Sequence, residues 1–438
     1  MSKFQLILAI IFAAFAVLAV VIFSGLMPGT GDVGGKIVLW GTLRKADMGP
    51  LLEDFSRINK PVMVVYEEKN NDTYENDLLN ALASGQGPDL FLLPDDLILT
   101  FSDKLVNISA QALPEKVFRD TFIQEADLYR MPEGVLALPL AVDPMVMYYN
   151  RDLFDEAGIV TPPKTWDEFP ALVSKFTRKD SFGNLTRGAV AMGSYDNVSH
   201  AKDILAFMML QGGNPIITRD STGGLVVSID SRQSSATQMN LFEQSLRFYA
   251  DFANPAGSSY TWDKSRPLSQ NAFMKGDLAV YIGYASELFT LRAKNPNLNY
   301  DITSLPELKD APRKIVFGRM QGVAVARTSK NTALAYRAAT LLIGKDFAQK
   351  FSLRFSLPPA RRDLLANKPA EPFYAAMFYD SALLARGWLD PGPKKTDAIF
   401  RSLVDDVVSG RSMPVQSISD AVTRLDVILK TYKKSTRP

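Results

Sequence analysis

The stretch from Gly134 to Phe169, GVLALPLAVDPMVMYYNRDLFDEAGIVTPPKTWDEF, constrains the fold more than any other part of this 438-residue chain. Val135 to Ala141 and Met145 to Asn150 have strand length and are rich in Val, Leu, Met and Tyr. Asp143-Pro144 interrupts them, because proline has no N–H to give a ladder. The spacing predicts two strands with a crossing between lobes at that break. Asp152 to Ala157 predicts a short helix stopped by Gly158. Pro162-Pro163 then turns the chain into a second helix, with Thr165 and Glu168 spaced as a capping box.

Strand and helix patterns alternate on the N-terminal side of this stretch. Ile37–Trp40, Val62–Glu67 and Asp89–Leu93 read as strands, and Ala46–Asn59 and Thr73–Ser84 as helices, an order that argues a parallel α/β sheet. A second α/β set follows: a strand over Gly188–Met192 and helices over His200–Leu210, Arg232–Phe252 and Leu268–Lys275. Gly318–Val325 reads as an apolar return strand. Helices are expected over Thr332–Ile343, Lys345–Arg354 and most of Phe373–Pro438, with a last crossing at Lys368–Pro372.

The length implies more than one domain-sized unit. Net charge is only +2, with 49 basic and 47 acidic residues interspersed, so no basic face of the kind that binds nucleic acid is expected. Cysteine is absent, which removes disulfides, thiolate metal sites and a lipid-anchoring thiol. Leu6 to Phe23 is an unbroken run of 18 apolar residues preceded by Lys3. That run is longer than a usual signal core, and Ser24 with Ile22 makes a poor cleavage site, so residues 1–24 are expected to be an anchor rather than a cleaved signal. With Lys3 held inside, the body lies on the extracytoplasmic side of the cell membrane. Residues 25–35, GLMPGTGDVGG, read as a flexible linker.

The run LPLAVDPMVMYYNRDLFDEAGIVTPPKTWDEF resembles the segment linking the two lobes of bacterial family 1 extracellular solute-binding proteins, the receptors of ABC sugar importers and relatives of maltose-binding proteins. GQGPDLFLL (Gly85–Leu93), NAFMKGDLAVYIGY (Asn271–Tyr284) and SLPPARRDLL (Ser356–Leu365) extend the resemblance from Lys36 to Tyr432. It implies a two-lobed periplasmic-binding-protein type II fold with discontinuous lobes. Lobe 1 would be residues 36–141 and 322–368, and lobe 2 residues 142–321 and 369–438. It also implies a monomer that captures a small polar solute, expected to be a carbohydrate, and hands it to ABC permease subunits, with no cofactor and no catalytic residue. The rival readings are an exported glycan-acting enzyme and a receptor of the same fold that feeds a sensor or binds a non-sugar solute.

Enzyme chemistry is hard to assemble from these residues. Asp89, Asp95 and Asp96 flank a strand end where α/β sites sit, but glycoside hydrolysis needs a second carboxylate partner that is not evident. The single histidine, His200, reads as a helix-end residue, and with no cysteine or second histidine no zinc site is expected. In the family a carboxylate at the position of Asp96 binds ligand hydroxyls. Flat rings cover the apolar face of a sugar, which makes Trp40, Tyr195, Tyr284 and Trp388 candidates, each weighed against ordinary core packing. Trp166 reads as structural, and of Tyr148 and Tyr149 only one can face a cleft. Arg44, Asp143 and Arg361 occupy positions that face the cleft in the family. Where the family often has a tryptophan, this chain has Ser286.

Overall fold

The computed structural model describes residues 35–229, 241–309, 311 and 313–435. The anchor expected over residues 1–24, nearly all of the linker and the first part of the helix expected from Arg232 lie outside the described residues. Among those described, no helix is long and apolar enough to cross a membrane.

Ten strands form one mixed sheet: β1 (Gly35–Gly41), β2 (Val62–Glu68), β3 (Leu90–Pro94), β4 (Leu138–Asn150), β5 (Arg178–Lys179), β6 (Leu185–Val190), β7 (Leu278–Tyr284), β8 (Tyr300–Thr303), β9 (Val316–Val325) and β10 (Ala385–Arg386). Their order is β2-β1-β3-β9-β4-β7-β6-β5, with β8 also on β4 and β10 also on β9. The alternating pattern predicts a parallel sheet, but only part of it is parallel: β1 with β2 and β3, β6 with β7, and β9 with β10. β9 and β4 run antiparallel to their main neighbours. Helices cover the sheet: α1 (Lys45–Ile58), α2 (Tyr74–Ala83), α3 (Ala201–Gln211), α4 (Leu241–Asp251), α5 (Ser269–Met274), α6 (Glu287–Lys294), α7 (Thr332–Leu342), α8 (Lys345–Phe355), α9 (Phe373–Leu383), α10 (Pro393–Val408) and α11 (Pro414–Ser435).

The strand break expected at Asp143-Pro144 does not form, and Leu138–Asn150 is continuous. Its first half pairs with β9 as far as Pro144 opposite Gly318, and its second half pairs with β7 from Met145 opposite Tyr284. Pro144 therefore sits where the strand exchanges neighbours, so its missing N–H leaves the ladder intact. β9 bridges in the same way, pairing with β3 on one side and β4 on the other. The capping box also differs: the Thr165 hydroxyl donates to Glu168 (2.8 Å) rather than capping the turn.

β3 and β7 are buried along nearly their whole length, as expected for inner strands covered on both faces. Three buried tyrosine hydroxyls are satisfied by carbonyls of the strands. Tyr74 donates to Leu92 O (2.8 Å), Tyr148 to Tyr284 O (2.6 Å) and Tyr129 to Leu93 O (2.7 Å). Each ring adds apolar contact while its polar tip escapes the cost of an unpaired buried group. Tyr148 thus belongs to the core, and Tyr149 packs on Phe154 at 5.0 Å. Trp166 is buried, with its indole N–H on Gln211 (2.8 Å).

Candidate functional site

A cavity of about 520 Å³ opens beyond the end of β3. Asp96 reaches it from the turn after β3 and Arg319 from the middle of β9. The rest of its wall comes from Tyr195 to Asp203, at the start of α3, and from the first half of α10. A helix start presents unpaired N–H groups and tolerates polar side chains, so two helix starts converging on one strand junction make a polar wall.

Arg319 organises the floor. Its guanidinium pairs with Asp96, donates to Asp203 Oδ1 (2.8 Å) and donates through Nε to the Tyr284 hydroxyl (3.2 Å). Tyr284 in turn donates to Asp203 Oδ2 (2.7 Å) and closes the circuit. Burial alone would raise the Asp203 carboxyl, but Arg319, Lys202 and His200 outweigh it and hold the group below its usual range. Burial likewise opposes the charge on Arg319, yet Asp203 and Asp96 keep it more firmly protonated than usual. Asp203 is 6% exposed, so its charge depends on these partners rather than on water.

His200 forms one wall. It precedes α3 in a left-handed conformation (φ 60°), uncommon for a residue with a side chain. Its ring bonds to Glu287 and stands edge-on to Tyr284 at 4.8 Å. Glu287 also accepts from Tyr281 and Gln270. Burial disfavours the imidazolium, but Glu287 more than compensates and the His200 pKa is raised. Burial works against Glu287, but His200 and the other donors keep its pKa low.

The opposite wall is built on α10. Tyr195 donates to Asp397 Oδ1 (2.7 Å), while Arg401 pairs with Asp196, reaches Asp397 Oδ2 (3.1 Å) and lies 5.2 Å over the Tyr195 ring. Lys202 is 9% exposed and donates to Asp390 (2.8 Å), which also accepts from Thr396 (2.9 Å). Lys394 reaches across the mouth to Glu75 on α2 (3.1 Å). Each of these four cations, Lys202, Arg319, Lys394 and Arg401, is therefore already matched by a carboxylate of the chain.

Of the residues expected from the sequence, Asp96 and Tyr195 line the cavity and Tyr284 lies directly behind it, bonded to its floor. Asp143 sits opposite Arg319 in the ladder, and its carboxylate accepts from the backbone N–H of Ser286 (3.0 Å). Burial pushes that carboxyl up to about 7 despite the Ser286 bonds. The other four lie elsewhere. Trp40 is half-buried on β1 with the Lys69 ammonium 3.6 Å from its ring centre. Arg44 is exposed and pairs with Asp47 (2.7 Å). Arg361 clasps Asp363 (3.0 and 3.1 Å). Trp388 is buried against Phe400 at 5.9 Å. Sequence reasoning did not single out Asp203, Arg319, Asp397 or Arg401. Arg319 left a signal, as the only charge within the apolar run Val316–Val325.

A sequence model of the bacterial extracellular solute-binding proteins matches residues 51–376. The chain belongs to that family. A binding protein of Brucella abortus (strain 2308) is 23% identical over 395 residues, covering 88% of this chain and 91% of that one. The galactooligosaccharide-binding protein of Bacillus subtilis (strain 168) is 25% identical over 344 residues, 77% of this chain and 75% of the relative. Among solved structures, a cyclo/maltodextrin-binding protein complexed with maltotetraose superposes with a TM-score of 0.71 at 16% identity, covering 94% of this chain and all of that one. The GacH receptor of Streptomyces glaucescens superposes at 0.70 and 18% identity, with 91% and 99% coverage. At such identities the superpositions show the fold, a periplasmic-binding-protein-like mixed α/β architecture. Membership in the family places the body outside the cytoplasm.

Proposed function

We propose that the protein is the receptor of an ABC importer, that it captures a neutral carbohydrate in the Arg319 cavity, and that it does so without chemistry. The observation that carries this reading is the pairing of every lining cation with a carboxylate of the chain. Such a wall has no unmatched cation to offer an anionic solute, but it keeps carboxylate lone pairs and guanidinium N–H groups that suit hydroxyls. Relatives that bind galactooligosaccharide and maltodextrin support the solute class, and similar structures described as ABC transporter solute-binding proteins support the partner. The contacts we assign are Asp96, Tyr195, Asp203, Arg319 and Asp397, with Tyr284 and Asp143 holding the floor in place. Residues 36–141 with 322–368 form one lobe and residues 142–321 with 369–438 the other. The change of partners along β4 and β9 supports a hinge there, and closure would follow only from contacts to both lobes. The run Leu6–Phe23 tethers the body to the cell membrane. Removing residues 1–34 is expected to release a folded protein from the membrane fraction.

The deciding experiment is a thermal-shift screen of mono- and oligosaccharides followed by product analysis. A cognate sugar at 100 times its dissociation constant should stabilise the protein by about 2.7 kcal/mol and be recovered intact. Stabilisation by anionic or cationic solutes alone would sink the carbohydrate reading, and released products would sink the non-enzymatic one.

A further inference from the structure

Behind the cavity floor, two carboxyl groups meet out of reach of solvent. Asp95, the first residue after β3, and Glu125, in the turn Gln124–Tyr129, are 3% and 2% exposed and in hydrogen-bonding contact. Asp95 Oδ1 accepts from the N–H of Asp96 (3.0 Å), and Glu125 Oε2 accepts from the N–H of Gly387 (2.7 Å). Glu125 Oε1 is buried with no donor in reach. A Cβ at Gly387 would stand 2.5 Å from that oxygen and 3.3 Å from Asp95 Oδ2, so the segment after β10 closes directly over the pair.

Two ionised carboxylates in contact repel each other, and burial penalises each charge further. Neighbours offset this only in part, Arg319 and the Met320 N–H favouring the Asp95 charge and the Gly387 N–H and Arg386 that of Glu125. Arg319 acts on Asp95 through space but is bonded to Asp96 and Asp203, and Asp96 adds negative charge. Arg386, on β10, is bonded to Gln124 and to the Ala385 carbonyl. The Tyr129 hydroxyl is committed to Leu93 O (2.7 Å) and Met320 O (3.0 Å). A proton on Glu125 Oε1 resolves both anomalies, because it turns the orphaned oxygen into a donor to Asp95 and removes one of the two charges. Burial raises both carboxyls above their usual range, Glu125 further than Asp95.

We propose that Asp95 and Glu125 share one proton, and that this proton locks the segment after β10 against the end of β3, at the junction where β3 and β9 meet. Loss of the proton to solvent would put two charges into the dry pocket and loosen the junction. The inference goes beyond the carbohydrate reading, and its test uses no solute, so either can fail without the other. The sign follows from the raised pKa values. Between the ordinary carboxyl range and the raised values the folded state binds more protons than the unfolded one, so the stability contributed by the pair falls as pH rises.

Glu125→Gln keeps the donor and the shape but cannot ionise. The melting temperature of this variant relative to the parent protein is expected to climb from about pH 5 to about pH 9. A gap that does not change with pH would overturn the shared proton. Infrared spectroscopy of the parent at neutral pH should show a protonated carboxylic C=O band that Glu125→Gln lacks, and absence of the band in the parent would overturn the proposal directly. X-ray scattering should show the ligand-free parent expanding over the same pH range while the variant does not. An invariant radius of gyration would refute the junction role. If Glu125→Gln does not fold, the infrared band and the pH-dependent expansion of the parent still decide the proposal, since absence of either overturns it.

Discussion

The two ends of the sheet treat their polar and aromatic residues differently. At the β1–β3 end, Trp40 is engaged by Lys69, Arg44 by Asp47 and Arg361 by Asp363, and only Asp96 enters the cavity. At the β6–β7 end, the starts of α3 and α10 put His200, Asp203, Asp397 and Arg401 on its wall. The first end spends its side chains on local contacts and the second turns them towards a shared space. On the proposed function, one end would serve as a lid with a single carboxylate and the other as the receptacle, with Arg319 bonded to both.

The largest expected effect breaks that tie. Arg319→Leu removes the cation that Asp96 and Asp203 share, a change that costs roughly 3–5 kcal/mol when a buried partner is removed. Calorimetry should show a large fall in melting temperature. An unchanged melting point would mean that Arg319 does not join the two ends.

A smaller effect tests the receptacle. The raised pKa of His200 stabilises the fold fully below the ordinary histidine value of about 6.5 and loses that contribution as pH rises through the folded value. The depressed pKa of Glu287 contributes above the ordinary value of about 4.3 and loses that as pH falls through its lower folded value. His200→Gln should thus destabilise most between those two pH values, with the deficit shrinking on the alkaline side. A deficit that grows above neutrality would contradict the His200–Glu287 pairing.

The smallest effects compare the two ends directly. Tyr195→Phe removes the bond to Asp397 and should weaken binding of the best sugar from the screen by about 0.5–1.5 kcal/mol. Trp40→Ala should lower the melting temperature yet leave that affinity within about 0.5 kcal/mol. If calorimetric titration shows the greater loss for Trp40→Ala, the lid contributes an aromatic contact and the contrast between the ends fails.

Much of the architecture was legible because it depends on neighbours in sequence. The glycine turn that the resemblance implies within Asn271–Tyr284 stands at Gly276 (φ 81°), a conformation glycine adopts without a steric penalty. The amphipathic spacing of Tyr74, Leu78, Leu79 and Leu82 predicts one buried face for α2, and Tyr74, Leu78 and Leu82 are buried with Leu79 half-buried. Asp143-Pro144 reads in sequence as a gap with a crossing between lobes; the gap does not form, and the structure shows there an exchange of strand neighbours. Whether a proline breaks a strand depends on which side of the strand has a partner at that residue. Trp40 and Trp388 illustrate a second limit. An aromatic at a strand or loop end suits a cleft and a core equally, and only the neighbouring Lys69 and Phe400 distinguish the outcomes.

Local periodicity and chain punctuation settle the class of elements and their order, since each follows from interactions within a few residues, while the extracytoplasmic location of the body rests on family membership. Strand neighbours and the membership of the site were decided by tertiary structure alone. Asp203 and Arg319 lie 116 residues apart and Tyr195 and Asp397 lie 202 apart, yet each pair is in contact. The energy that joins them comes from burying opposite charges beside one another, and that exists only after the sheet has brought β9 and the starts of α3 and α10 to the same place.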